Sequence, residues 1–394
     1  MNCKIRVCQV INRFMVGGAE TVALDLSRKL DPGRYEVRVL APLAPIQSSG
    51  HADMEQRFLD AGIATDNLAI TSFHNPLSIL RLYLYFRRGR FDIVHGHNRL
   101  SDAWAVEIGA LAGIPHRFWT RHLVYQDMTA ALIRRYSRLS RKADLVFAVS
   151  DAVRENCIEV ERIAPEKVVT LVNGIDTERY CPIPAEVIGK KRRELGVTAD
   201  EHLLLYVARM NEQKAPEGFV RLIWRLREMG VPARGFMCGT GPIERDVRNL
   251  IADGPTGVEM LGVRNDIPAL LGTADLFVST SRNEGLPLNV MEAMSSGAAF
   301  VAPNIEQISC LLANSGLRDM CLYAPPPQRG DLPDHLIDTW AAKVAEVVKD
   351  DQWRRTVGAK SREIIRAEYS LERMVSAYQD AYEETLTARS RTVP

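Results

Sequence analysis

Short apolar runs recur along the chain, each followed by a longer stretch in which apolar positions return every three or four residues. The short runs, rich in Val, Ile, Leu and Phe, predict strands buried on both faces, and the longer stretches predict amphipathic helices. In the first half the runs are "IRVCQVI", "YEVRVLA", "FDIVHGH", "RFWTRH", "ADLVFAVS" and "KVVTLV", with helices expected over residues 19–30 and 101–112. The second half repeats the scheme in "HLLLYVAR", "ARGFMCG", "VEMLG", "ADLFVST", "AAFVAP" and "DMCLYAP". Two helices, near residues 351–367 and 371–387, close the chain before a frayed "TARSRTVP". Strand–helix alternation of this kind implies parallel sheets with helices on both faces, the doubly wound α/β class.

The alternation breaks once, at "NGIDTERYCPIPAEVIGKKRRELG", where Gly, two prolines and a basic run interrupt the periodicity. That break predicts a boundary near residues 180–185, with one Rossmann-like domain over 1–182 and a second over 183–370. The terminal stretch, about 371–394, is expected to cross back and pack on the first domain. Two such domains supply two crevices at the carboxyl ends of their strands. Facing each other, these would form one deep interdomain cleft for a nucleotide and a second substrate.

Composition narrows the class. A chain of 394 residues suits two cores, and 46% hydrophobic with 25% charged residues is ordinary for a globular enzyme. A net charge of +1 argues against a nucleic-acid binder. Residues 1–172 carry 23 Lys and Arg against 18 Asp and Glu, whereas the remainder carries 27 against 31, so the first half is mildly basic. The seven cysteines are scattered and form no C-x-x-C pair, which reads as reduced thiols and not as a disulfide frame or zinc site. Lys4 and Arg6 interrupt the first apolar run, and Glu107 interrupts "AWAVEIGALAGIP". Neither stretch reads as a signal peptide or a membrane span, so a cytoplasmic protein is expected.

The densest chemistry lies in "SRNEGLPLNVMEAMSSG", residues 281–297. It follows the predicted strand "ADLFVST", at a carboxyl end where open α/β sheets bind ligands. Pro287 suits the first turn of the following helix, and Gly285 admits a close ligand. The N–H groups of Gly285, Leu286 and Leu288 would then face phosphate or sugar oxygens. Glu284 stands outside the helix within reach of such a ligand, and Glu292, inside it, suits the paired hydroxyls of a ribose. A capped surface helix with two solvated glutamates is the competing reading. In "ARMNEQKAPEG", Arg209 and Lys214 follow a strand and precede a helix, two cations able to hold a diphosphate leaving group. Gly17 and Gly18 fall between the first strand and first helix, where backbone approaches a ligand closely. Neither this pair nor Gly239 and Gly241 in "CGTGPIE" completes a G-x-G-x-x-G fingerprint.

In this order, "GGAE", "FDIVHGHN", "TRH", "ADLVFAVSDAV", "LVNGID", "ARMNEQK", "GTGP" and the long run from "LGVRNDIPALLG" to "EGLPLNVMEAMSSG" resemble the retaining GT-B glycosyltransferases of family 4. The resemblance spans nearly the whole chain. It implies two facing Rossmann-like domains, the first on the acceptor side and the second for the donor. It also implies a nucleotide-sugar co-substrate, UDP- or GDP-linked, with no other cofactor and no metal. Arg209 and Lys214 match the pair that grips the donor diphosphate, Glu284 the glutamate at the transferred sugar, and Glu292 the one that binds the ribose. Gly285, Leu286 and Leu288 match the backbone donors, and His122 a first-domain histidine at the sugar. Val263 lies in a loop like the one against the base, and Gly18, beside Gly17, matches the glycine near the donor phosphate. Ala208 and Ala215 stand where the family has glycine, which reads as a change of fit by one methyl group each. The acceptor implied is a saccharide, a lipid-linked saccharide or a small molecule, in surface-glycan or lipid-linked saccharide synthesis. A nucleotide-sugar epimerase and a non-catalytic nucleotide-sugar-binding protein are the rivals.

Two further motifs stay open. His95 and His97 fall on one strand face, as metal ligands or as cleft-lining and structural histidines, with no third ligand suggested. "ILRLYLYFRRGR" (79–90) and "LIRRYSRLSRK" (132–142) are basic and apolar without acids. They read as packed helices with solvated arginines, or as a face for peripheral contact with the inner side of the cell membrane.

Overall fold

A computed structural model describes residues 4–45, 51–72, 75–125, 128–313 and 315–390. The chain divides into two compact units, Met1–Gly174 with Leu371–Pro394, and Ile175–Ser370.

The first unit is built on a parallel sheet of β1 (Ile5–Val10), β2 (Tyr35–Leu43), β3 (Ala64–Ile70), β4 (Ile93–Gly96), β5 (His116–Arg121), β6 (Leu145–Ala148) and β7 (Val168–Thr170). Their order is β3-β2-β1-β4-β5-β6-β7. Its helices are α1 (Gly18–Lys29), α2 (His51–Asp60), α3 (Pro76–Gly89), α4 (Arg99–Leu111), α5 (Ala130–Ser140) and α6 (Asp151–Glu159). β3 was not among the expected strands. Its sequence "ATDNLAI" lacks an apolar run because it is an edge strand paired only to β2.

The second unit has β8 (His202–Val207), β9 (Ala233–Cys238), β10 (Val258–Gly262), β11 (Leu276–Val278), β12 (Phe300–Pro303) and β13 (Leu322–Tyr323) in the order β10-β9-β8-β11-β12-β13. Around it lie α7 (Ala185–Glu194), α8 (Pro216–Glu228), α9 (Glu244–Asp253), α10 (Ile267–Thr273), α11 (Leu288–Ser295), α12 (Glu306–Leu311), α13 (Arg318–Cys321), α14 (Asp334–Val347) and α15 (Asp351–Glu368). The last expected strand, "DMCLYAP", is half helix: Arg318–Cys321 form α13 and only Leu322–Tyr323 pair with β12.

α16 (Leu371–Ser390) belongs to the first unit. Tyr378 and Tyr382 are fully buried there against Phe147 and Phe118, and Arg34 pairs with Glu383 at 2.6 Å. The helix runs through Ser390 instead of fraying at residue 387, and residues 391–394 lie outside the described residues. Continuous apolar strands such as "LLLY" in β8 are buried because helices cover both sheet faces.

Candidate active site

In the second unit the chain steps from β8 to β9 and β10 on one side, then returns to β11 on the other side of β8. β8 and β11 are therefore neighbours whose following loops part in opposite directions, the place where open α/β sheets bind ligands. Arg209 and Lys214 lie on the loop after β8, and Glu284 lies on the loop after β11.

Lys214 and Glu284 meet. The lysine Nζ donates to both carboxylate oxygens, at 2.6 and 2.8 Å, with the glutamate side chain 4% exposed and the lysine 18%. Arg209, by contrast, is exposed, and its guanidinium has no hydrogen-bond or ion-pair partner among the described residues.

Several side chains that sequence reasoning missed bolt the two loops together. Thr280 Oγ1 donates towards the carbonyls of Lys214 and Ala215 at 3.0 and 2.8 Å, and Tyr206 Oη reaches the Lys214 carbonyl at 3.1 Å. Arg282 is buried, donating to the Glu212 and Pro327 carbonyls at 3.1 and 2.7 Å and to Glu217 at 2.9 Å. The one available signal was a cation in the short polar run "STSRN" that follows β11. Asn289 ties the first turn of α11 to the Val207 carbonyl at 3.0 Å.

The glycines of "CGTGP" act on the protein's own backbone. A Cβ on Gly239 would stand 2.0 Å from the Ala208 oxygen, and one on Gly241 would stand 2.2 Å from the Met210 oxygen. The Ala208 and Met210 N–H groups donate to the Cys238 and Thr240 carbonyls at 3.1 and 3.0 Å, so the Arg209 loop lies flat on the loop after β9. Ala215 has φ 44 and ψ 56, the left-handed region. Its methyl group therefore does more than alter fit, since a Cβ there costs on the order of 1–2 kcal/mol.

Glu292 is half-buried on α11, and Val263 is half-buried just beyond the carboxyl end of β10. Two expectations about the turn are corrected. Pro287 caps α11 instead of opening its first turn. The Leu288 N–H is already engaged with the Leu286 carbonyl at 2.9 Å, in a tight turn forced by the proline between them. It is not an open donor, and a ligand would have to displace that bond.

The first unit has its own reversal, between β1 and β4. Gly17 caps α1, and Gly18 is its first residue. Glu20 is buried in the same turn, accepting from Asn98 Nδ2 at 3.2 Å, and a Cβ on Gly17 would stand 2.5 Å from its carboxylate, which would have to shift. His122 follows β5 and stacks on His97 with ring centroids 5.7 Å apart. His122 Nε2 and His97 Nδ1 are both buried without a hydrogen-bond partner. Burial, and then the adjacent Arg121 cation, hold the His122 pKa down to about 3. Arg121 is itself fully buried between Asp102 and Glu161.

His95 and His97 do share a face, with centroids 4.2 Å apart. Both ring nitrogens of His95 are occupied, by Tyr382 at 2.6 Å and Thr120 at 2.8 Å, and His97 Nε2 is 2.7 Å from Gln9 Oε1. His95 is thus a core histidine without a free nitrogen for a metal. Among the described residues no group of three His, Cys, Asp or Glu could hold one. The six described cysteines are free thiols, and Cys3 lies outside the described residues.

Comparison with known proteins identifies the family and the fold. Residues 16–179 match the Glycosyltransferase Family 4 model, and residues 201–350 match Glycosyl transferases group 1. The chain is 26% identical to an Escherichia coli enzyme, UDP-Gal:alpha-D-GlcNAc-diphosphoundecaprenol alpha-1,3-galactosyltransferase, over 79% of this chain and 82% of the relative. It is 25% identical to the D-inositol 3-phosphate glycosyltransferase of Kineococcus radiotolerans, over 76% and 73%. Among solved structures, HepE of Anabaena in complex with UDP and glucose superposes with a TM-score of 0.80 at 16% identity, over 96% of this chain and 99% of that one. That likeness shows the shared GT-B fold.

Proposed function

The chain belongs to the family 4, group 1 glycosyltransferases, and we propose that it transfers a sugar from a UDP- or GDP-linked donor to an acceptor hydroxyl with the anomeric configuration retained. The observation that carries this reading is the Lys214–Glu284 pair at the β8/β11 reversal, beside the unpartnered Arg209. Arg209 and Lys214 take the donor diphosphate, Glu284 the transferred sugar, Glu292 the ribose, and Val263 the base. Gly285 and Leu286 supply backbone donors, Gly17 and Gly18 approach the donor phosphate, and His122 offers its orphaned Nε2 to a sugar hydroxyl.

The bond from the anomeric carbon to the diphosphate oxygen breaks as the bond to the acceptor oxygen forms on the same face. The acceptor proton passes to the departing phosphate. Two preorganised cations stabilise the charge growing on that leaving group, each contributing on the order of 3 kcal/mol, about a hundredfold in rate. On this reading no metal is required, and activity survives EDTA; complete loss restored only by Mg²⁺ or Mn²⁺ would remove that element.

The E. coli relative acts on a GlcNAc-diphosphoundecaprenol, which supports a lipid-linked saccharide as acceptor and a working place in the cytoplasm at the inner face of the cell membrane. Incubation with radiolabelled UDP- and GDP-sugars and added acceptors tests the assignment. Label in an acceptor product supports transfer, whereas an epimerised free donor, or binding without turnover, overturns it.

A further inference from the structure

A run of hydrogen bonds crosses the interior of the first unit, from α16 to the strand ends that carry the His97–His122 stack. Gln9 on β1, His95 on β4, Thr120 on β5, and Tyr378 and Tyr382 on α16 are all buried, as is His97 just after β4. Gln9 and His95 are register partners on adjacent strands, and the rings of His95 and His97 lie side by side on one face. These polar side chains meet out of reach of solvent, where each must find its partner within the protein.

The Gln9 amide gives the run its direction. Its Nε2 donates to Tyr382 Oη at 3.4 Å, which leaves the Tyr382 hydroxyl proton to donate to His95 Nδ1 at 2.6 Å. A neutral His95 then carries its own proton on Nε2 and gives it to Thr120 Oγ1 at 2.8 Å. At the other end Gln9 Oε1 has only lone pairs, so His97 Nε2, 2.7 Å away, must be the donor. His97 is thereby a neutral imidazole protonated on Nε2, with a bare lone pair on Nδ1, the nitrogen that has no hydrogen-bond partner. Burial first, and then the neighbouring imidazoles, hold His95 and His97 well below the usual imidazole value. From β5, Arg121 bears on His122, with Asp102 and Glu161 already paired to it, and α16 brings only the two tyrosine hydroxyls. A proton on His97 Nδ1 would thus place an imidazolium against His122 and near Arg121, with no carboxylate acting on either ring to offset it.

We propose that Gln9 and Tyr382 are positioning residues for His122: they hold His97 as an uncharged ring protonated on Nε2, the fixed platform on which His122 stacks to meet a sugar hydroxyl. The inference rests on the sugar contact proposed above for His122 and extends it to the C-terminal helix. Neither Gln9 nor Tyr382 touches substrate. Each acts through the one ring against which His122 is stacked, with centroids 5.7 Å apart.

Nitrogen-15 spectra of the histidine-labelled full chain read the tautomer directly, with the His97 signals identified by their loss in His97→Gln. Wild type should show His97 protonated on Nε2 alone. In Tyr382→Phe the Gln9 amide loses the acceptor that orients it, so His97 should populate both tautomers. There kcat should fall about tenfold, the worth of one buried hydrogen bond. Binding of UDP or GDP, whichever wild type takes, should stay within about threefold by calorimetry, because the proposed donor site lies in the second unit. Tyr378→Phe is the comparison, the same hydroxyl lost from the same helix. That hydroxyl bonds Thr120 at 3.1 Å, beyond His95, so its loss should leave the His97 tautomer unchanged and kcat within about threefold. Gln9→Glu sets a carboxylate against His97 Nε2 and favours the imidazolium, so kcat should rise with pH near neutrality where wild type is flat. A wild-type His97 protonated on Nδ1, an unchanged kcat in Tyr382→Phe, or equal losses in the two tyrosine variants would overturn the proposal. The spectra need no turnover. The expected tautomers in a chain that transfers no sugar would uphold the hold of Gln9 and Tyr382 on His97 and remove the transferase reading, so the two fail separately.

Discussion

Lys214 closes on Glu284 with both carboxylate oxygens inside hydrogen-bond distance, 2.6 and 2.8 Å, across 70 residues of chain. The pair lies at the carboxyl end of adjacent parallel strands, so the fold alone brings a cation and an acid to one point. On the proposed function a donor diphosphate competes for the lysine and the sugar for the glutamate. The pair then holds both side chains in place until the donor arrives.

Lys214→Met therefore does two things. It removes a leaving-group cation, and it leaves a buried carboxylate without its partner. Stability, measured by urea unfolding, should fall by about 2–3 kcal/mol, near the lower edge for a broken buried pair because the lysine is partly exposed. Adding Glu284→Gln should restore most of that loss, to within about 1 kcal/mol of wild type, because no charge is then stranded. Transfer should remain lost in the single and the double variants. A Lys214→Met chain as stable as wild type would show that the pair does not hold the two loops.

The three neighbouring buried histidines give a pH signature. Burial keeps His95, His97 and His122 neutral, with His122 down to about 3 and the other two well below the usual imidazole value. A histidine with a depressed folded pKa contributes stability that is present above its unfolded value, near 6.5, and lost as pH falls. Below about pH 6.5, stability should drop by up to about 1.4 kcal/mol per pH unit for each histidine. Because His122 stays neutral across that range, kcat should show no limb near pH 6.5 that His122→Gln abolishes. Chemical denaturation and rate measurements at a series of pH values check both points.

Arg121, one residue before His122, sits fully buried between Asp102 and Glu161. Arg121→Leu should cost about 3–5 kcal/mol, since it leaves the buried Glu161 without its cation and Asp102 without its donor. Asp102→Asn should cost about 1 kcal/mol or less, because Arg121 keeps Glu161. Burial, opposed by Arg121, pushes the Asp102 pKa up to about 8. A raised carboxyl contributes stability that is complete below its unfolded value and lost as pH rises through the folded one. Wild type should therefore lose stability relative to Asp102→Asn between about pH 4 and 8, which paired unfolding curves resolve.

Much of this molecule was legible in its sequence, and the reasons for the gaps are physical. Strands such as "LLLY" in β8 announce themselves because both sheet faces are covered. β3 did not, because an edge strand with Asp66 and Asn67 in its middle has no need of an apolar run. The loop positions of Arg209, Lys214 and Glu284, and the helical position of Glu292, were readable from strand–loop–helix order. Their contacts were not, since the Lys214–Glu284 pair and the Arg282 and Thr280 ties join segments 45 to 70 residues apart. Leu288 misled for a local reason: a proline at a cap position folds the backbone back on itself and occupies the following N–H.

Arg209 offers the cleanest test of the central claim, because it is exposed and unpartnered and its removal strands nothing. Transfer from the preferred nucleotide-sugar should be compared in wild type and Arg209→Ala, with unfolding measured on the same samples. The account predicts kcat/KM about a hundredfold lower with stability within about 0.5 kcal/mol of wild type. Near-normal turnover in a folded Arg209→Ala chain would contradict it.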